Sequence, residues 1–263
     1  MKLVCEHGVK YEQVIQEMYC RKKQTSILEF GSIRHQDAEL SIITASPDGI
    51  TPNGCMLEIK APAKRIITGI PPPYYWVQCQ QQMQVCKLDK VDFLEVKIEE
   101  YTNFNDYNED YLDDPNKPYT SDELEKNVVI EYHKLDSEGD LGYIYPDKLL
   151  LTDEIKDWKY KIILELEKTS DKQFRRISYW KCKQYCLTPI YKDQTWWDNN
   201  VHKFNEFWNK VLEHRKNGFQ HLLSKPNPRK NKLVECQIIS DDDVKKTTFC
   251  INNDSCLIES DEN

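Results

Sequence analysis

Pro71-Pro72-Pro73 is the firmest punctuation in this chain, because three prolines in a row forbid helix before them and suit a helix start after them. YYWVQCQQQMQVCKL, residues 74–88, therefore reads as a helix that begins at once. Short β-type runs flank it: TSILEF, ELSIITA and CMLEIKA upstream, DFLEVKI downstream, with SPDG and TPNG as turn signals. Strand, helix and strand in alternation predict an α/β chain. An amino-terminal helix over KYEQVIQEMYCRK places Val9, Val14, Ile15 and Met18 on one side.

Beyond residue 100 the pattern is coarser. Residues 101–126 read as an acidic loop rich in Asn and Tyr. NVVIEYH reads as a strand, EIKDWKYKIILELEK as a helix and ISYWKCKQYCLTPIY as a strand pair. TWWDNNVHKFNEFWNKVLEHRK predicts one long amphipathic helix, its Trp197, Val201, Phe204, Trp208 and Val211 packing as core. Residues 1–225 are expected to form one domain and 226–263 a flexible acidic tail.

The chain has 263 residues, 39% of them hydrophobic and 11% aromatic, enough for a core. No apolar run approaches the ~20 residues of a membrane-spanning helix, and MKLVCEHGVKYEQ lacks the apolar stretch of a secretion signal. The expectation is a cytoplasmic protein with no membrane partner and its ten cysteines reduced. Cys182/Cys186 and Cys250/Cys256 lack a matching second half, so no zinc site is expected. The net charge of -8 is unevenly spread: residues 99–125 hold ten acids against one lysine, and 231–263 hold eight against three, so the remainder is basic. Local fields govern attraction, so a basic body with two acidic appendages is compatible with DNA.

The segment richest in chemistry is ASPDGITPNGCMLEIKAP, residues 45–62. Alternation on a strand sends Glu58 and Lys60 to one face and Ile59 to the other, and a hairpin of this length can bring Asp48 beside Glu58. Two carboxylates with a flanking carbonyl suit a hard divalent cation, and the Lys60 ammonium suits an attacking water or a developing phosphate charge. The chain supplies a control in Glu95-Val96-Lys97, which lacks an acid one hairpin upstream and reads as a solvated ion pair. On the Gln-rich helix, Gln78 and Gln82 lie four apart on one face.

Asp48…Glu58-Ile59-Lys60 followed by Tyr75-Trp76-Val77-Gln78-Cys79-Gln80 resembles the PD-(D/E)xK nuclease superfamily, within it the phage lambda exonuclease and YqaJ-like viral recombinase nucleases in the form found in large DNA viruses. His7-Gly8-Val9-Lys10-Tyr11-Glu12, Glu29-Phe30-Gly31, Ser46-Pro47-Asp48-Gly49 and Val91–Lys97 support the resemblance, and the helix from Trp196 to Gly218 resembles the closing helix of those proteins. It is dense over residues 7–100, thin over 101–230 and absent after that.

The resemblance implies a restriction-endonuclease-like core, a central mixed β-sheet flanked by helices. It implies a Mg²⁺-dependent deoxyribonuclease (Mn²⁺ substituting) of exonuclease type in viral DNA recombination, repair or processing. Asp48, Glu58 and the Ile59 carbonyl would hold the metal, with Glu12 joining directly or through water. Lys60 would be catalytic base or water-orienting cation, and Gln78 would hold the nucleophile or phosphate. Lys64, Arg65, Gln80 and Gln82 would contact DNA, with the Arg21–Lys23 and Arg175-Arg176 clusters as weaker candidates. Partners implied are DNA, a single-strand annealing or other recombination protein, and further copies of the chain; a viral chain would work in the infected cell's cytoplasm. Only six residues precede His7, where such proteins carry helical sequence that recognises a 5′ end, so the expectation is an abbreviated nuclease or one relying on a partner. A structure-selective or nicking endonuclease, and a catalytically silent DNA-binding module, stay open as alternatives.

Overall fold

The computed structural model describes residues 2–136 and 140–223. The chain opens with α1 (Lys2–Lys23), then β1 (Ile33–Arg34), β2 (Thr44–Ala45), β3 (Gly49–Ile50) and β4 (Met56–Lys60). α2 (Pro73–Cys86) leads to β5 (Lys90–Glu100), and α3 (Phe104–Glu109), β6 (Lys126–Lys134), β7 (Leu141–Ile144) and α4 (Thr152–Glu167) follow. β8 (Lys172–Tyr191), α5 (Gln194–Asn200) and α6 (His202–Asn217) close the described chain.

Six strands form one mixed sheet in the order β3-β4-β5-β8-β6-β7. Only β4 and β5 are parallel, and α2 is the crossover between them. The expected α/β architecture, a mixed sheet flanked by helices, is what forms. α2 starts at the last of the three prolines and stops where Lys87 turns left-handed, φ 54°.

β4 is buried on both faces. Leu57 and Ile59 meet Tyr11, Val14, Ile15, Met18 and Tyr19 of α1, together with Leu94 and Val96 of β5. Met56 joins Val91 and Phe93 against Cys79 and Met83 of α2. The middle of the molecule is thus a three-layer stack with α1 on one side of the sheet and α2 on the other.

Several expectations need correction. Val9 is 62% exposed, because the buried stripe of α1 runs through Tyr11, Val14, Ile15, Met18 and Tyr19. TSILEF forms no strand beyond a single bridge, Leu28 to Ile50. The supposed strand pair at 177–191 is one continuous strand, since Thr188 to Ile190 stay in register with β5 despite Pro189. The long closing helix breaks in two at Val201; Trp197 is buried against Ile43, Ala45 and Val85, whereas α6 buries none of its residues. Trp208 and Val211 are only partly buried.

Residues 101–126 are a folded part of the body, not an appendage. Tyr107 of α3 is fully buried with Val128, Ile155 and Tyr179. Lys126, also fully buried, donates to the carbonyls of Tyr107 and Asp110 at 2.7 and 2.5 Å. Asp110 accepts from Lys181 and Tyr101. The 226–263 tail lies outside the described residues.

By its contacts the chain divides into a unit ending at Lys210 and another beginning at Val211. Within the second, the His214 and His221 rings lie 5.1 Å apart. Cys20, Cys55, Cys79, Cys86, Cys182 and Cys186 are free thiols. Among the described residues no helix is long and apolar enough to cross a membrane.

One polar cluster ties α1 to the sheet. Lys10 is 3% exposed and donates to Glu100 of β5, Glu131 of β6 and Ser178 of β8, each at 2.6 Å. Arg175 and Arg176 also pair with Glu131, and Arg176 reaches Glu100 at 3.1 Å. These arginines, like Arg21 on Glu125, are paired with acids of the fold. Breaking a buried charge set by removing one member leaves the others under-compensated. Lys10→Ala should cost about 2–4 kcal/mol, read as a lowered midpoint in urea unfolding; an unchanged midpoint would show that Arg175 and Arg176 suffice.

Candidate active site

The β3–β4 hairpin builds the centre of the site. Its turn closes through Thr51 N–H to the Cys55 carbonyl at 2.8 Å and Gly54 N–H to the Thr51 carbonyl at 2.9 Å. Gly54 sits at φ +80°, which glycine adopts without steric cost. The register pairs Gly49 with Leu57, so Asp48 stands beside Glu58, as the sequence suggested.

β3 begins at Gly49, opposite Leu57, and leaves the last residues of β4 without a strand partner on that edge, where the Asp48 side chain fills the place. Its Oδ2 accepts from Ile59 N–H at 2.6 Å. A strand residue directs its N–H and C=O to the same edge, so the Ile59 carbonyl emerges on Asp48's side. Gln16 of α1 donates to the Asp48 backbone carbonyl at 3.2 Å and fixes the turn from the helix side.

Glu58 is 1% exposed on the sheet face covered by α2. Gln78 Nε2 donates to its Oε1 at 2.8 Å and Gln82 Nε2 to its Oε2 at 2.9 Å. The two amides lie one helical turn apart, so one face of α2 clasps both carboxylate oxygens. Lys60 pairs with Glu58 Oε1 as well, on the same side of the strand. Lys60 also lies 4.9 Å from the centre of the Tyr75 ring, and Arg65 lies 5.7 Å from it.

The electrostatics are those of acids crowded against one cation. Burial pushes the Asp48 carboxyl up to about 7, the neighbouring Glu58 charge adds to it, and the Ile59 amide and Lys60 oppose it. Partial desolvation raises Glu12, with Lys60 opposing and Glu58 and Glu29 adding. Glu12 projects from α1 into the same field and lines a cavity of about 450 Å³ with Asp48, Ile59, Lys60, Arg65 and Tyr75. Burial works against the Lys60 ammonium, but Glu58 and Asp48 outweigh it and hold Lys60 above the usual lysine range.

Asp48, Glu58, Glu12, Ile59, Lys60, Arg65 and Gln78 thus converge. Gln78 and Gln82 differ from expectation in role: both hold Glu58 itself, and Gln82, 4% exposed, has no face toward DNA. Gln80 is a clear correction. It is fully buried, donating to the Tyr191 carbonyl at 2.9 Å and accepting from Asp193 N–H at 2.8 Å, so it is a brace between α2 and the end of β8. Alternation of even-numbered glutamines hid this, because on a helix Gln80 turns away from Gln78 and Gln82. Lys64 is exposed beside the site.

The control triplet departs most. Glu95 is fully buried and pairs with Arg65 at 2.5 Å, Lys97 donates to the Ala63 carbonyl at 2.9 Å, and Asp92 accepts from the Tyr19 hydroxyl at 2.9 Å. Sequence reasoning missed Glu95 as the partner of Arg65. Register Lys60 to Glu95 on parallel neighbours is the cause, and only strand pairing reveals it.

The donor set fits a hard divalent cation in type: carboxylate and carbonyl oxygens with no sulfur or imidazole among them. A second sign is the raised Asp48 carboxyl, since a buried acid facing the Glu58 charge needs more positive charge nearby to ionise. A third is Gln82 Oε1, buried with no hydrogen-bond partner. Among the described residues no group of three or more Asp, Glu, His or Cys side chains is close enough to form a metal cage alone. Backbone oxygen and water would have to complete the shell.

Asp48 makes a pH-dependent prediction without any metal. In acid below about pH 4 it is protonated folded and unfolded alike. As pH rises toward 7 the unfolded chain releases this proton while the folded chain keeps it, so stability falls through that window and stays lost above it. Asp48→Asn, in chelator, should therefore melt a few degrees higher than the parent at about pH 8 and no higher at about pH 4. Equal shifts at both pH values would refute the charge origin.

The chain is similar in part to known proteins. Residues 2–89 match the family described as YqaJ-like viral recombinase domain. An uncharacterized protein, R354 of Acanthamoeba polyphaga mimivirus, is 30% identical over 242 residues, which is 80% of this chain and 43% of that one. The alkaline exonuclease LHK-Exo from Laribacter hongkongensis is 28% identical over 36% of this chain and 50% of its own, with a TM-score of 0.33. The same enzyme in complex with dAMP gives 28% identity over 35% and 49%, again with a TM-score of 0.33. The chain spans less than half the length of the curated relative that it matches.

Proposed function

We propose that this chain, which carries a YqaJ-like viral recombinase domain at residues 2–89, is a divalent-metal-dependent deoxyribonuclease that hydrolyses phosphodiester bonds of linear DNA, acting as an exonuclease in viral DNA recombination, repair or processing. The observation that carries the reading is the buried Glu58, one hairpin away from Asp48 and paired with Lys60, on the strand that leads into α2. The resemblance to PD-(D/E)xK nucleases rests on these same residues, and their closeness supports the reading.

Asp48, Glu58 and the Ile59 carbonyl would hold Mg²⁺ or Mn²⁺, with Glu12 reached directly or through water. The ion, when bound, lowers the pKa of a water and offsets charge on the phosphate. Lys60 acts as a cation: neighbours hold its proton on, so it orients water and faces the anionic phosphate rather than removing a proton. Gln78 and Gln82 keep Glu58 in one rotamer, so the acid needs no rearrangement when the substrate arrives. Arg65, fixed by Glu95 and set against Tyr75, presents its guanidinium to the strand's phosphates. Exposed Lys64 adds positive charge at the same rim.

Linear duplexes labelled at the 5′ or the 3′ end, compared with a closed circle under Mg²⁺ or Mn²⁺, test this directly. Linear DNA should be degraded and the circle spared. Lys60→Ala should lose about 10²–10³-fold in kcat while divalent binding by calorimetry persists, and Asp48→Ala should lose both. Cleavage by both variants at the parent's rate would reject the assignment, and cleavage of the circle would shift it to an endonuclease.

A further inference from the structure

A second cavity, of about 630 Å³, opens on the other side of the acids from Lys60 and Arg65 and shares Val9, Glu12 and Asp48 with the first. One wall is α1 with the turn at Ser46 and Pro47; the other is the β6–β7 hairpin, which contributes Tyr132, Lys134 and Tyr143. The resemblance in sequence is thin over this hairpin, and the catalytic reading assigns no role to Tyr132 or Lys134.

The lining argues for a particular occupant. Apart from the ion that Asp48 and Glu12 would share, the lining sets one acid, Glu29, against one lysine, Lys134, so nothing there favours a phosphate over an uncharged group. Val9 and Phe30 are 62% and 44% exposed within it, an unusual display of apolar surface beside an acidic centre. A flat, uncharged group with apolar faces and a polar edge suits these walls. On a DNA strand that group is the base, whose faces stack on aromatic rings whatever its identity.

Tyr132 is built to be that ring. It stands directly across from Gly142 in the antiparallel register. A Cβ at Gly142 would fall 2.1 Å from Tyr132 Cζ, so the ring lies over the glycine and any other residue there would push it away. Lys172 lies 5.6 Å from the centre of the same ring. The phenol end of the ring thus lies over Gly142, and the Lys172 ammonium, which stands over the ring, must move aside for a base to stack there.

Resting on the nuclease reading above, we infer that this cavity receives the base of the nucleotide next to the scissile phosphate, stacked on Tyr132, while the phosphates run past Lys60 and Arg65 on the opposite side. The site is sequence-tolerant, since stacking needs only a π face, and it favours a strand end whose base is already unpaired. A terminal base pair must open before its base can enter.

The test uses the full chain with an oligonucleotide carrying 2-aminopurine at its 5′ or 3′ terminal position, in Ca²⁺ to allow binding without turnover. Stacking on Tyr132 quenches the probe. Parent and Tyr132→Phe should quench alike, whereas Tyr132→Leu, which keeps apolar volume without a π face, should lose the quench. In the digestion assay Tyr132→Leu should raise KM about tenfold with kcat little changed, and Tyr132→Phe should restore it. A parent-like quench and KM in Tyr132→Leu, with DNA still cut, overturns the base subsite and leaves the nuclease reading standing. If the parent cuts no DNA under any divalent ion, the nuclease reading fails and the fluorescence decides alone: Tyr132-dependent quenching upholds the base site, and its absence removes it.

Discussion

The arrangement around the site follows from burying one carboxylate. Glu58 sits at 1% exposure in the second strand of a hairpin, where an isolated negative charge would be prohibitively costly. Lys60 and the amides of Gln78 and Gln82 meet it from the strand and from the helix that crosses over the sheet. That requirement fixes the phase of α2, the length of the hairpin and the side of the strand on which Lys60 stands. Asp48 then completes an acidic pair whose mutual repulsion is only partly offset, the condition in which a divalent cation binds well.

The same economy of charge holds α1 in place. Lys10 locks the helix to three strands through Glu100, Glu131 and Ser178, and the Tyr145 hydroxyl donates to the Lys10 carbonyl at 2.8 Å. Glu12 lies half a turn from Lys10, so the ionic anchor sets how far Glu12 can reach toward the site. Residues that look like a basic surface in the sequence, Arg175 and Arg176, turn out to serve this anchor. The acids of 101–126 likewise serve the fold, with Asp110 held well below the usual carboxylate range by partners that outweigh its burial.

Legibility varied with the range of the interaction. The Pro71–Pro73 stop, the hairpin and the Glu58–Lys60 face are local facts of backbone geometry, and each is where the sequence pattern placed it. The break at Val201 and the burial of Trp197 against β2 and α2 depend on residues 110 or more positions away. Gln80 was misread for the same reason: its partners, the Tyr191 carbonyl and the Asp193 amide, approach only after β8 has crossed the sheet. Glu95 was read as solvated because a strand's exposure depends on its neighbours, and β5 is central.

Taken by itself, the order of residues determined the strand–helix–strand unit and the types of atom that could gather at its end, because turns, prolines and alternation act over a few residues. Which acids were compensated, which arginines stayed available and where an aromatic ring came to lie over a glycine were decided only when distant strands paired. A charge or a ring acquires its role from what desolvates and opposes it, and here those neighbours lie as many as 168 residues apart in the chain.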